Sequence, residues 1–228
     1  MSGTLVVAAH PTESSPGRPD RYGSTVPTPL RPITLTGRHV VLAPLTREHV
    51  AALVAAATED RATYGLTWVP ADQEEMAGYV DQLLADHAAA KALPFVQLDA
   101  SDGRPVGCTR YLDLQWWSGR ELPDEVEIGG TWLAASAQRT ALNTEAKRLL
   151  LCYAFDSLAV WRVAICTDAE NVRSRTAIER IGATFEGVLR NHHVKYNAAT
   201  PRARDTAVYS IVRDEWPAVR DALDARLG

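Results

Sequence analysis

The residues best suited to chemistry lie in a short polar segment between a strand pattern and a helix pattern. Val126–Leu133 has the pattern of a strand, and an apolar-periodic helix pattern ending at Leu158 follows it. The segment between them delivers backbone N–H groups into a helix N-terminus, where donors lack internal partners and the helix dipole is positive. Such a turn binds anions, and we expect a pyrophosphate here. The candidate binding residues of this segment are Gln138, Arg139, Thr140, Ala141, Leu142, Asn143 and Thr144.

A second motif, N-V-R-S-R-T-A-I-E-R-I-G at Asn171–Gly182, begins another helix pattern. Asn171 and Ser174 are three residues apart, which is the spacing of an N-cap and a first-turn hydroxyl. Taken alone, the pair is explained by helix capping.

The composition argues against several other functions. The chain has 228 residues, a net charge of −4, a pI near 5.9, 46% hydrophobic residues and 23% charged residues. These values are typical of a globular protein and give no footprint for nucleic acid or an anionic membrane. Three cysteines without metal-type spacing predict reduced thiols, and no apolar run is long enough to span a membrane. Neighbouring strand residues point to opposite faces, so His192-His193 does not predict a zinc site. We therefore expect a cytoplasmic protein that binds no metal, nucleic acid or membrane.

Two regions differ in composition. Residues 1–32 hold six prolines among Ser, Thr and Gly, and predict an irregular N-terminal arm that docks, if at all, through Leu5–Val7. Residues 33–228 have the patterns of one globular domain.

The element patterns of this domain follow the order β-α-α-β-β-β-α-β-α-β-β-α. Antiparallel strands come first, and a βαβαβ unit then requires some parallel pairing, so we predict an α/β fold with a mixed sheet flanked by helices. The predicted helices cover 72–90, 143–158 and 172–181, with one more after Thr46 and another from Asp214. The predicted strands cover 39–42, 94–98, 106–112, 125–133, 162–167, 184–189 and 207–212.

Two motifs in this order, Gln138–Asn143 and Asn171–Gly182, resemble the GNAT acetyltransferase superfamily. The tail Asp205–Pro217 resembles its branch of ribosomal-protein alanine and serine N-acetyltransferases. The resemblance runs from Leu35 to the C-terminus and implies a single-domain GNAT-like fold that uses acetyl-CoA. It also implies a splayed central strand whose free backbone groups pair with the pantetheine arm at Thr131, Trp132 and Leu133.

The resemblance further implies roles for single residues. Segment 138–144 would hold the pyrophosphate, and Asn171 would contact the pantetheine or acyl region. Ser174 would be the general acid that protonates the departing thiolate, and Arg175 would lie on the cofactor side. Positive charge near the phosphates is expected from Arg139, Lys147 and Arg148.

Acetyl transfer to an amine also needs a base, and Glu127 is the candidate. It alternates with Val126 and Ile128, so its side chain can face the cleft while theirs face the core. A carboxylate there can take the proton of an ammonium directly or through water. An exposed strand carboxylate without a catalytic role is the alternative, and both interpretations stay open.

The acceptor is a primary amine, and the resemblance favours a protein N-terminus. The first two helices border the acceptor site in this family, and residues 59–86 carry seven acidic side chains against Arg61 alone. That bias favours a cationic acceptor, although a solvated helical face gives the same bias. The alternatives are an enzyme for a small amine, such as an antibiotic or polyamine, and an acyl-CoA-binding regulatory protein without catalysis.

Two positions depart from the family pattern. Ala141 stands where the phosphate loop usually has Gly, and its methyl restricts φ. Gly130 stands where the related branch tends to have an aromatic residue, which predicts a more open acceptor pocket. Separately, the pair Trp116-Trp117 predicts a homodimer contact, a lid or local packing.

Overall fold

The computed structural model describes residues 28–195 and 202–228. Most of the predicted arm, including its docking segment Leu5–Val7, lies outside the described residues. Leu30, close to the predicted arm boundary at residue 32, is buried in the core, and its carbonyl oxygen lies 2.8 Å from Nε2 of His87. The folded part of the chain therefore includes Leu30.

The described residues form a mixed sheet of eight strands. The sheet order is β1-β2-β3-β4-β5-β6-β8-β7, in which β5 and β6 pair in parallel and every other neighbouring pair is antiparallel. The strands are β1 (Leu35–Thr36), β2 (Val40–Pro44), β3 (Ala92–Asp99), β4 (Pro105–Gln115), β5 (Glu125–Leu133), β6 (Arg162–Asp168), β7 (Thr184–Lys195) and β8 (Arg202–Val212).

Helices cover both faces of this sheet, as predicted for an α/β fold. Helices α1 and α2 pack on β4 and β3, whereas α3 packs on β1, β2 and α5. Consecutive residues of β4 mark the two faces. The Arg110 guanidinium donates to the hydroxyl of Tyr79 in α2, and the Tyr111 hydroxyl donates to the Leu150 carbonyl of α3. The helices are α1 (Val50–Thr58), α2 (Gln73–Ala88), α3 (Ala141–Cys152), α4 (Val172–Arg180) and α5 (Trp216–Leu227).

Some predicted boundaries were wrong. Helix α3 begins at Ala141 rather than at Asn143 or Thr144, because the Thr140 side chain caps it by accepting from the Leu142 N–H. The helix predicted over 143–158 leaves α geometry after Cys152 and continues as a π-helical turn, Tyr153–Ser157.

The hairpin of β7 and β8 extends well beyond the predicted strands 184–189 and 207–212. Its outer part is rich in charged and polar residues, which do not give the apolar alternation of a half-buried strand. A register shift between Leu189 and His193 also interrupts the alternation.

Glu145 ties the β1–β2 turn to α3. Its buried carboxylate accepts the backbone N–H groups of Arg38 (2.8 Å), His39 (2.6 Å) and Val40 (2.9 Å). A Cβ at Gly37 would collide with the same carboxylate, so the turn needs glycine for this close approach. The first turn of α3 is thereby held against the edge of the sheet.

Candidate active site

Strands β5 and β6 separate part of the way along the sheet. Their parallel pairing consists of Glu125–Arg162, Val126–Val163 and Glu127–Ala164, yet β5 continues to Leu133 and β6 to Asp168. Beyond Glu127, the side of β5 that faces β6 carries backbone groups without a strand partner in the described part of the chain. Such a splayed edge accepts an extended ligand that bears amide groups.

A β-bulge shapes β5 within this opening. Gly130 has φ of +58°, and the register with β4 shifts between Cys108 and Arg110. After the bulge, the Thr131 hydroxyl lies 2.8 Å from that of Thr109 and faces α3, whereas Trp132 turns its buried ring to the opposite face. The bulge therefore changes which face each of the following residues lines.

The polar segment after β5 reaches α3 through a 3₁₀ turn, Ala135–Ala137. The side-chain amide of Gln138 holds the segment by donating to the Thr63 hydroxyl and to the Leu133 carbonyl, both at 3.0 Å. Arg139 has φ of +61°, and the helix starts two residues later. The first-turn N–H groups of α3 have no helix carbonyl to bond, and that of Leu142 donates to the Thr140 hydroxyl.

The turn after α1, the loop after β5 and the start of α4 surround a cleft of about 670 Å³. The cleft brings together Gln138 and Arg139 of the loop with Asn171 of α4, and Tyr64 of the turn after α1 closes it. On the other side of the loop, Thr140, Ala141 and Leu142 line a separate cavity of about 170 Å³ beside Arg38 and His39. The predicted binding segment is thus divided between two cavities.

At the start of α4, Asn171 caps the helix by accepting the Ser174 N–H at 3.0 Å. The helix cap that the spacing of this pair predicts is therefore formed. The amide nitrogen of Asn171 and the Ser174 hydroxyl form no hydrogen bond within the described residues. Arg175 lies elsewhere: its Nε donates to the Tyr209 hydroxyl at 2.9 Å, and its guanidinium stacks on Phe185. This arrangement favours a packing role for Arg175.

Glu127 lies on the α1–α2 face, since Val126 and Ile128 are fully buried on the other side. Burial raises the pKa of Glu127, and a hydrogen bond from the Cys166 thiol partly opposes that shift. A carboxylate with a raised pKa is a stronger base than an exposed one. Burial also raises the pKa of Cys166, so this cysteine does not supply a ready thiolate nucleophile.

Sequence reasoning placed Lys147 near the phosphates, and the structure contradicts this. Lys147 is buried beneath β5, where its ammonium donates to the Thr131 hydroxyl at 2.7 Å. Burial lowers the pKa of Lys147 to about 7, against an opposing effect of Glu127. Its spacing from Leu150 and Leu151, three and four residues on, was the signal that it shares their buried face. Arg148 also lies away from the loop, in an ion pair with Asp224.

The acidic residues of 59–86 mostly have structural partners. Glu59 accepts from the Ser136 N–H and pairs with Arg104, and Asp81 pairs with Arg47. The remaining partnered side chains are the caps and turn contacts of Asp60, Asp72 and Glu75, and Asp86 with Gln82. These contacts favour the explanation that the acidic residues are helix caps and solvated side chains, rather than a binding surface for a cationic acceptor.

Among the described residues, no group of three or more His, Cys, Asp or Glu side chains is placed to hold a metal ion. The rings of His192 and His193 lie 4.2 Å apart near the β7 bulge, closer than regular strand alternation predicts. Within the same residues, no helix combines the length and apolar character that crossing a membrane requires.

Comparison with known proteins identifies the family that this fold and cleft define. Residues 39–184 match the model of the acetyltransferase (GNAT) domain, which is more than half of the chain. The chain belongs to the GNAT acetyltransferase family, as its two motifs predicted.

Its relatives also match the predicted branch. YdaF of Bacillus subtilis (strain 168), named as a ribosomal N-acetyltransferase, is 35% identical over 94 residues, which are 38% of this chain and 45% of that protein. A GCN5-related N-acetyltransferase from Brucella melitensis is 30% identical, with a TM-score of 0.75 over 90% of each chain. Mycobacterium smegmatis RimJ, solved with CoA-disulfide, is 22% identical, with a TM-score of 0.71 over 86% of this chain and 95% of that one. The last similarity concerns the fold alone.

Proposed function

We propose that this protein transfers the acetyl group of acetyl-CoA to a primary amine, and that the amine is the N-terminus of a protein. Membership in the GNAT family supports acetyl transfer. The observation that carries the proposal is the splayed edge of β5, which leads directly into the loop that lines the cleft beside the start of α4. Similarity to YdaF supports the protein N-terminus.

Two features fit acetyl-CoA. Among the residues that the structure describes, the edge of β5 at Thr131, Trp132 and Leu133 has no strand partner on the side of β6, and its backbone groups on that side offer hydrogen bonds to the amides of pantetheine. The N–H groups of segment 138–144 suit a pyrophosphate, and Asn171 has a free amide nitrogen toward the acyl region. Bound there, acetyl-CoA supplies an activated thioester.

Two side chains of this protein, Glu127 and Ser174, then carry out the proton transfers. Glu127 takes the proton of the acceptor ammonium, directly or through water, which frees the nitrogen lone pair. The new carbon–nitrogen bond forms as the carbon–sulfur bond breaks, and the nitrogen loses its second proton to solvent. The Ser174 hydroxyl donates its proton to the departing sulfur and regains one from solvent. Because burial raises the pKa of Glu127, we expect activity to rise with pH as this carboxyl ionises.

Glu127→Gln and Ser174→Ala test these roles. We expect Glu127→Gln to lower kcat about 100-fold or more and to flatten the rise of rate with pH. Ser174→Ala should lower kcat about tenfold with nearly unchanged affinity for CoA. Thiol release from acetyl-CoA measures both. Wild-type rates in the two variants would remove the assignments.

The alternatives differ in the same assay. An enzyme for small amines would release thiol with an antibiotic or polyamine and not with peptides. An acyl-CoA-binding regulator would gain thermal stability from CoA and release no thiol with any acceptor. No rise in melting temperature at millimolar CoA would contradict all three.

Two finer points belong to the proposal. We place the protein in the cytoplasm, which its free cysteines support. We also infer a homodimer through the surface of Trp117 and Trp161, which are 41% and 48% exposed with ring centroids 6.5 Å apart. Mass measurement in solution tests the dimer.

A further inference from the structure

Gly130 does not leave an empty pocket, because the side chain of Arg110 occupies the space. A Cβ built on Gly130 would lie 2.5 Å from Cζ and 3.0 Å from Nε of Arg110. The guanidinium therefore lies directly against the strand, in the space that a larger residue at position 130 would fill. The positive φ of Gly130 makes any side chain there unfavourable as well.

Arg110 lies beside the candidate base. A Cβ on the neighbouring Gly129 would lie 2.9 Å from Oε1 of Glu127, so carboxylate and guanidinium rest on consecutive glycines. Both side chains belong to the α1–α2 face of the sheet. Arg110 and Arg204 each act to lower the pKa of Glu127, against the larger effect of burial. The base and a cation thus share one side of the opening.

Most hydrogen-bonding capacity of Arg110 is unused. A guanidinium has five N–H donors. Within the described residues, its one hydrogen bond runs from Nη1 to the Tyr79 hydroxyl, at a long 3.4 Å. Tyr79 packs edge-on against Trp68 with centroids 6.0 Å apart, and Trp68 is 45% exposed. A half-buried cation with spare donors beside a carboxylate suits an oxygen of the ligand.

We propose that Arg110 determines acceptor specificity by binding an oxygen on the carbon next to the one that bears the amine. In an α-amino acyl group, nitrogen and carbonyl oxygen are borne by adjacent carbons, which suits a base and a cation that rest on consecutive glycines. The acceptor class is then α-amino acyl compounds. Polyamines lack that oxygen, and amino sugars carry a hydroxyl or ether oxygen there rather than a carbonyl oxygen. The inference rests on the proposed acetylation of an amine.

This oxygen has two sources, a peptide carbonyl and the carboxylate of a free amino acid. The acceptors that separate them are an alanine-initiated tetrapeptide amide, alaninamide, alanine and propylamine. Propylamine is the matched amine without the oxygen. A higher rate with the tetrapeptide identifies a peptide N-terminus, and a higher rate with alanine identifies an amino acid.

The test compares wild-type protein with Arg110→Met, Arg110→Lys and Arg47→Met, using kcat/KM from thiol release. Arg47 is exposed and paired with Asp81, so Arg47→Met controls for loss of one surface charge. We expect Arg110→Met to lower kcat/KM for the acyl acceptors about 10- to 100-fold and for propylamine by less than about twofold. Arg110→Lys should fall between, because it keeps the charge and loses the planar fork.

Two results would overturn the inference. One is that Arg110→Met, with a melting temperature equal to that of wild type, loses kcat/KM equally for the acyl acceptors and for propylamine. The other is a wild-type enzyme as fast with propylamine as with alaninamide. Absence of thiol release from wild-type protein with every acceptor would contradict the proposed function instead.

Discussion

Lys147 is a buried lysine whose hydrogen-bond partner in the described structure is Thr131. Its lowered pKa means that the folded protein binds fewer protons than the unfolded chain between about pH 7 and 10.5. The free energy of unfolding should therefore rise with pH across that window. Below pH 7 both states hold the proton, and the folded state bears the whole cost of burying the charge.

Lys147→Met should remove this dependence, because methionine fills a similar volume without a charge. We expect the variant to be more stable than wild type at pH 7 by on the order of 4 kcal/mol, since one pKa unit is worth about 1.4 kcal/mol. Urea unfolding at pH 6, 7, 8.5 and 10 measures it. Lys91→Met, at an exposed position, is the control. If the free energy of unfolding of Lys147→Met still rose with pH as it does in wild type, Lys147 would not be the group responsible.

At the scale of residues, sequence reasoning found candidates that lie along a chain motif and missed those that other elements bring in. Glu127, Gln138 and Asn171 could be named because each belongs to a strand or loop with a recognisable pattern. Arg110 could not, since its place beside Glu127 depends on the register between β4 and β5 and on the bulge at Gly130. Neither is visible in one sequence.

At the scale of elements, the backbone of the loop before α3 puts its strain at Arg139. Arg139 has a positive φ, whereas Ala141 is the first helical residue and is not among the residues with positive φ. The methyl of Ala141 is thus compatible with the loop. Ala141 therefore does not favour the alternative of an acyl-CoA-binding regulatory protein without catalysis.

Replacing Arg139 or Ala141 with glycine should have opposite effects on the free energy of unfolding. Arg139→Gly should stabilise the fold by about 1 kcal/mol, the cost of a left-handed residue with a side chain. Ala141→Gly should destabilise it by up to about 1 kcal/mol and leave CoA affinity unchanged. Thermal unfolding and calorimetric titration with CoA measure these effects, with Arg139→Ala as the control for lost charge. Tighter CoA binding by Ala141→Gly would show that the methyl does hinder the loop.

The order and type of the elements were predictable because caps, turns and apolar spacing are local. Asp72 caps α2 where the predicted helix 72–90 begins, and Gly103 takes a positive φ in the turn between the predicted strands 94–98 and 106–112. The outer part of the β7–β8 hairpin was missed because its pairing does not depend on apolar alternation. The end of the β5–β6 pairing at Glu127 comes from the packing of whole elements.

At the scale of the whole molecule, the described fold begins before residue 32. Leu30 is 8% exposed and joins the core, so the arm and the domain meet upstream of the predicted boundary.

Deletion of residues 1–27 should leave the melting temperature and CoA binding unchanged. Deletion of residues 1–32 should lower the free energy of unfolding by about 2 kcal/mol, because it removes the burial of Leu30. Circular dichroism melts of both truncations test this against the full chain. Loss of helical signal in the shorter deletion would show that the arm is integral to the fold.

The parallel pairing of β5 with β6 also bears on the order in which the strands of the sheet form. Strands β1 to β5 lie beside their neighbours in sequence, so they can pair while the chain is still being synthesised. Strand β6 joins β5 only across an intervening helix, and it is completed on its other side by β8, near the end of the chain. Because contacts distant in sequence form slowly, we expect the C-terminal half to dock late on an N-terminal half that has already formed. The opening proposed for acetyl-CoA lies at the boundary between the strands expected to form early, β1 to β5, and those expected to join late.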